Sequence, residues 1–284
     1  MGILYFTHDL YPKNSRMVRL DSRRDHGNYL PPLHVTYQLL AGQRPATKSR
    51  YLCVGLSSVK SKTGSYLIPT LQSLFASTSP KERSSMVVVV LVGDFDVCWR
   101  TDMVKKIKSA FSSALQQCHL LVFHVPEENY SPLTDQKRNN DSSAIVAHRS
   151  KQKLDYAFLV QYSLGLGSYY LQLGDQISAA DNFPTIIKKC VEEQDAKKTN
   201  WATLEFSSLA SIGKLYKSTD LPLLARFLFL FHQRMPSYLL MSTFPLLLAQ
   251  QKPIIEYSLF KHMGTRHPKT SKNVKDINLK ESVD

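Results

Sequence analysis

A chain of 284 residues with 43% apolar and 10% aromatic content has material for one substantial hydrophobic core, which excludes wholesale disorder. Its 36 Lys and Arg against 23 Asp and Glu give a formal charge of +13, which favours anionic partners. The basic residues nevertheless fall in short groups such as Lys105, Lys106 and Lys108 or Lys188 and Lys189, without interleaved aromatics or a helix-turn-helix pattern, so they read as solvated helix faces and not as a nucleic-acid footprint.

Residues 1–50 are rich in charge, proline and polar residues and lack sustained periodicity, which predicts an extended stem or linker. Within it, charge and Pro12 arrive before a signal core or membrane anchor could form, so no anchor is expected there. From Tyr51 short apolar runs alternate with helical patterns. Tyr51–Leu56 precedes a helix over 65–75, and Met86–Val92 precedes a helix over 102–115. Leu120–Val125 follows, then a helix over 151–164 and a run at Tyr169–Leu173. That order predicts repeated βαβ units and a mostly parallel sheet.

Met86–Val92 has no polar face, so as a strand it requires cover on both sides. It ends at Gly93-Asp94-Phe95-Asp96, and ligands gather beyond such carboxyl ends in open α/β sheets. Val104, Ile107, Phe111, Ala114 and Leu115 recur at helical spacing, as a crossover helix requires.

The polar stretch 131–143 reads as an exposed loop carrying an acceptor for N-glycosylation at Asn140. Leu221–Ala249 is apolar but holds Arg226, His232, Arg234, Pro236 and Pro245, which predicts buried helices and not a membrane span. Four dispersed cysteines (Cys53, Cys98, Cys118, Cys190) show no C-x-x-C pair, which excludes a structural zinc site. Cys53 and Cys118 lie in apolar runs, where free buried cysteine is ordinary.

Arg149–Tyr156 (RSKQKLDY) followed by Tyr169–Gln176 (YYLQLGDQ) resembles the heart of the alpha-1,3-mannosyl-glycoprotein 4-beta-N-acetylglucosaminyltransferase (N-acetylglucosaminyltransferase IV) family. The corresponding phrases there run R-x-K-Q-x-L-D-Y and Y-Y-x-Q-L-E-D-D. Further matches come in the same order: Gly55–Lys60, Val92–Asp96, Leu204–Ser207 with Ile212–Lys214, and a late stretch from Ser258 to Gly264. The resemblance implies an α/β fold of the GT-A glycosyltransferase type, Rossmann-like, with a mostly parallel central sheet flanked by helices. It would span residues 51–264, with 265–284 a basic, mobile tail. It also implies a UDP-N-acetylglucosamine donor, Mn²⁺ or another divalent cation, an N-glycan acceptor and the Golgi. The carbohydrate-binding region that follows in the family is not expected after Gly264.

In the family the acidic triplet fixes the metal that supports the departing diphosphate. Here it reads Gly174-Asp175-Gln176, which keeps the middle acid and replaces both neighbours, so metal affinity is expected to fall. By resemblance Asp175 and His262 form this degenerate metal site, while Asp96, Arg149, Lys151 and Asp155 contact the donor. No residue is assigned as the base, because Ser237 and Met241 stand where the family's acids would be. The resemblance therefore implies either a transferase-like protein with weak or no catalysis, an active enzyme, or a non-catalytic regulator of another N-acetylglucosaminyltransferase.

Overall fold

A computed structural model describes residues 33–45, 50–61, 64–130, 143–208, 212–235, 237–250 and 254–263, with backbone alone at 143–149, 237 and 238. Asn140 and the 265–284 tail lie outside the described residues. In chain order the elements are β1 (Gln38–Ala41), β2 (Arg50–Ser58), α1 (Leu67–Ala76), α2 (Pro80–Ser84), β3 (Met86–Val92), α3 (Val97–Ala110), α4 (Ser112–Gln116), β4 (Leu120–His124) and α5 (Ser143–Tyr162). There follow β5 (Gly167–Gly174), β6 (Ile177–Ala179), α6 (Phe183–Ala196), β7 (Thr203–Glu205), β8 (Lys214–Lys217), α7 (Leu221–Phe231), α8 (Ser237–Leu247), β9 (Ile254–Ile255) and β10 (Phe260–His262).

Among the described residues the main sheet has eight strands in the order β1-β4-β3-β2-β5-β8-β7-β9. The stretch β4-β3-β2-β5 is parallel throughout, as the unbroken apolar runs demand. Period-two alternation sends the side chains of β3 to two cores. Met86, Val88, Val90 and Val92 join one cluster with residues of α1, α3 and α6. Val87, Val89 and Leu91 join the other with residues of α5, α7 and α8. All seven residues of β3 are buried, and each such valine contributes about 1.5–3 kcal/mol relative to exposure.

The connections β2→β3 and β3→β4 run over the first face, whereas α5 returns over the second to place β5 beside β2. The direction of winding therefore switches between β2 and β5. A ligand crevice is expected beyond the carboxyl ends of strands at such a point.

Close approach fixes one glycine in this region. A Cβ at Gly55 of β2 would stand 2.2 Å from the Tyr170 hydroxyl of the neighbouring strand, and that hydroxyl is buried and donates to Gln172. Gly55→Ala is expected to destabilise the fold by about 1–3 kcal/mol through overpacking, read from the urea midpoint. Tyr170→Phe in the same background should recover part of the loss.

Three histidines sit where burial holds their pKa values below the ordinary one: His119, His124 and His232. His124 is bound through Nδ1 to the Val92 carbonyl at 2.9 Å. Because the folded pKa values are depressed, their contribution to stability is present above the unfolded value of about 6.5 and is lost as pH falls below it. Urea unfolding should therefore show falling stability below about pH 6.5, with a shallower fall in His124→Gln.

Several expectations need correction. The stretch expected to be stem as far as residue 50 contributes β1, which pairs antiparallel with β4 through a register shift between Leu39 and Ala41. The helix expected over 102–115 begins at Val97 and breaks at Phe111 into α3 and α4. Cys118 lies in a turn at φ 56° and is half-buried, outside any strand. Leu221–Ala249 forms two helices whose inner faces are buried, but Leu230, Leu246 and Leu247 are 62%, 57% and 56% exposed. Among the described residues no helix is long and apolar enough to cross a membrane.

Candidate functional site

A cleft of about 410 Å³ opens beyond the carboxyl ends of β2, β3 and β5 and is lined by Ser57, Lys60, Asp94, Phe95, Lys151, Gln152, Asp155, Gly174, Asp175, Gln176, Ile212 and His262, among others. The parallel register aligns these strand ends, pairing Ser58 with Val92 and Ser57 with Gly174. The β5–β6 turn thereby lies against the end of β2. Strand β10 pairs with β6, setting His262 opposite Ile177, and the Met263 N–H donates to the Gln176 carbonyl at 2.8 Å. A histidine distant in sequence is brought in this way to the rim of the Asp175 turn.

Asp175 is fastened on two sides. The Ser58 hydroxyl donates to Oδ2 at 2.6 Å, and the Thr70 hydroxyl donates to the Asp175 carbonyl at 3.0 Å. Burial pushes its carboxyl above the ordinary value, opposed by the Ser58 bond and the neighbouring His262. On one side stands Gly174, where a Cβ would meet Ile212 Cδ1 at 2.9 Å. Ile212 is aimed there by Gly213, whose φ of 73° is the left-handed conformation glycine tolerates best.

The acids after β3 divide their work. Asp96 caps α3, accepting from the Trp99 N–H at 3.0 Å, and pairs with Lys60 at 2.8 Å. That hydrogen bond from Lys60 holds its carboxyl below the usual range. Asp94, not Asp96, lines the cleft. Its two oxygens accept from the backbone N–H groups of Lys60 and Asp96, each at 2.8 Å. The signal that separates them is helix capping: an acid immediately before the first helical residue is consumed by the orphan N–H groups.

Lys151 and Asp155, one turn apart on α5, line the cleft but are engaged with each other at 3.0 Å, with side chains 14% and 2% exposed. The Lys151 ammonium also donates to the Gly93 carbonyl and lies 4.7 Å and 4.9 Å from the ring centres of Phe95 and Tyr130. Tyr130 donates to Asp155 Oδ1 at 2.6 Å, and burial, then the Asp155 charge, pushes its phenol far upward so that it stays a donor. The pair clamps the Gly93–Asp96 loop to α5. Gly93 allows this approach, since a Cβ there would stand 2.9 Å from Asp155 Oδ2.

Arg149 belongs to α5, but its side chain lies outside the described residues, as does that of Ser237. Met241 is fully buried behind the sheet, where its sulfur accepts from the Tyr216 hydroxyl at 3.2 Å. Met241 is not among the residues that line the cleft.

Manganese and magnesium ions favour several anionic oxygen donors. Asp155 is engaged by Lys151 and Tyr130, Asp94 accepts from two backbone N–H groups with lone pairs to spare, and Asp175 has no flanking acid. Among the described residues no group of three or more His, Cys, Asp or Glu side chains is gathered for a metal. Each described carboxylate of the cleft is thus engaged by a group of the protein itself, and no three of them converge.

A mostly parallel sheet with helices on both faces and a cleft beyond its central strands make this a doubly wound α/β fold. Residues 13–279 match the model of the MGAT4 conserved region, and the chain belongs to that family. Alpha-1,3-mannosyl-glycoprotein 4-beta-N-acetylglucosaminyltransferase C of Danio rerio is 46% identical over 234 residues, covering 82% of this chain and 51% of the relative. The alpha-1,3-mannosyl-glycoprotein 4-beta-N-acetylglucosaminyltransferase-like protein MGAT4E of Mus musculus is 35% identical over 205 residues, covering 72% and 46% respectively. The chain thus spans about half the length of these relatives. A solved structure of S. aureus TarS, residues 1–349, overlaps 60% of this chain and 47% of that chain with a TM-score of 0.34 at 12% identity.

Proposed function

We propose that this protein is an N-acetylglucosaminyltransferase IV-like component of N-glycan branching that keeps a donor-type cleft but catalyses transfer weakly or not at all. The observation that carries this reading is the β5–β6 turn, where Asp175 stands between Gly174 and Gln176 and is tied to Ser58. Departure of a nucleoside diphosphate places growing negative charge at the cleft, and a fixed cation is the usual means of stabilising it. A single carboxylate already engaged by a hydroxyl is a poor anchor for that cation.

Similarity to alpha-1,3-mannosyl-glycoprotein 4-beta-N-acetylglucosaminyltransferases supports N-acetylglucosamine as the sugar and a mannosyl glycoprotein as the acceptor; UDP as the carrier and the Golgi as the compartment are part of the proposal. In the non-catalytic form of this reading the protein acts by occupying a partner, another N-acetylglucosaminyltransferase of the same pathway. The alternative is an active β-1,4 transferase, which requires that the diphosphate be stabilised without the family's metal triplet.

N-glycan profiling of glycosylating cells that express the protein separates these outcomes. A non-catalytic role predicts altered branching that persists in Asp175→Ala. New 4-linked branches that disappear in Asp175→Ala would establish the enzyme instead.

A further inference from the structure

Among the described residues, the committed cations and the carboxylates around the cleft do not suit the diphosphate of the proposed donor. The Lys151 ammonium is committed to Asp155 and the Gly93 carbonyl, and that of Lys60 to Asp96. Asp94 and Asp175 face the same space, so an incoming diphosphate without a counter-cation meets like charge. The place beside Asp175 where a second carboxylate would help hold that cation has no side chain at Gly174 and is covered by Ile212.

The same groups are well arranged for a neutral ligand. The Asp94 carboxylate is held in place by two backbone N–H groups and can accept further hydrogen bonds from hydroxyl or amide donors. Gln152 and Gln176 add amides to the lining, and Ile212 supplies an apolar wall. Small-ligand sites combine apolar walls with a few fixed polar groups in this way.

We infer that the cleft is a cation-independent site for an uncharged, hydroxyl-rich moiety, a nucleoside or an N-acetylated amino sugar, with Ile212 packed where an acid at position 174 would begin. This rests on the reading of the cleft as a donor site, and it moves the recognition from the diphosphate to the neutral parts of the donor.

Calorimetric titration of the whole chain with uridine, N-acetylglucosamine, UDP and UDP-N-acetylglucosamine, each in EDTA and in Mn²⁺, tests it. One of the two neutral ligands should bind alone, and which one does so identifies the moiety recognised. UDP should bind no more than about threefold tighter than uridine, and Mn²⁺ should change every dissociation constant by less than about twofold. Ile212→Ser should weaken the neutral ligand by about tenfold, while the comparison on the unmodified chain stands without that variant. Binding of UDP that requires Mn²⁺, or tightens about tenfold with it, would overturn the inference, as would failure of both neutral ligands to bind. Turnover of the donor in EDTA would overturn the non-catalytic reading while leaving this inference intact, so the two fail separately.

Discussion

Replacing Lys151 with methionine should lower the unfolding free energy by about 3–5 kcal/mol, the range for removing one partner of a buried ion pair. The ammonium is the centre of the clamp: it meets Asp155, the Gly93 carbonyl and the rings of Phe95 and Tyr130. Methionine keeps the aliphatic volume but leaves the Asp155 carboxylate, 2% exposed, without its nearest counter-charge. The double variant Lys151→Met with Asp155→Leu should regain much of the loss, because removing both charges also removes the desolvation penalty. Urea denaturation of the two single variants and the double closes the cycle. A loss under about 1 kcal/mol in Lys151→Met would mean that the pair behaves as a solvated surface contact, and the clamp would have to be abandoned.

The second large effect concerns the metal. Gly174→Glu together with Gln176→Asp should strengthen Mn²⁺ binding by at least about tenfold, since the number of charged ligands tunes the affinity of hard-cation sites over several orders of magnitude. Gly174 is not in the left-handed region, so a larger residue meets no backbone obstacle. The Cβ would press on Ile212 Cδ1 at 2.9 Å, the mobile end of a side chain that can turn away. Calorimetry with Mn²⁺ checks this directly. If the unmodified protein binds the ion as tightly as the double variant, Gly174 and Gln176 are not what weakens the site.

What could be read from the sequence follows from how strongly each segment is constrained. Met86–Val92 was legible because a strand covered on both faces leaves no polar position, and all its residues are buried. Tyr51–Leu56 and Tyr169–Leu173 were legible for the same reason, and they flank one another in parallel register. Gln38–Ala41 was not, because a four-residue edge strand with a register shift shows no alternation long enough to detect. The α7–α8 region misled in the other direction. Its composition demands burial, yet Leu230 and Leu246 remain largely exposed, and nothing local in the sequence distinguishes them from the buried Leu228 and Leu240.

At the site, the sequence identified the elements more securely than the side-chain roles. Asp175 and His262, 87 positions apart in a chain of 284, do line one cleft, a proximity that resemblance implied and spacing could not. Asp94 and Asp96 both follow the central strand, and only the start of α3 at Val97 shows that Asp96 is spent on capping. The resemblance implies separate donor contacts at Lys151 and Asp155, although their separation of four on a helix is also the spacing of an internal ion pair. Burial decides between those uses, and burial is a property of the loop and rings packed around them.

The central claim is that the altered Gly174-Asp175-Gln176 turn leaves a donor-type cleft with little or no transfer chemistry. The most direct measurement is release of UDP from UDP-N-acetylglucosamine by the purified chain, with an N-glycan acceptor, across a series of Mn²⁺ concentrations. The account predicts release at the background rate throughout, identical for the unmodified protein and Asp175→Ala. Release that rises with Mn²⁺ and is abolished in Asp175→Ala would contradict it.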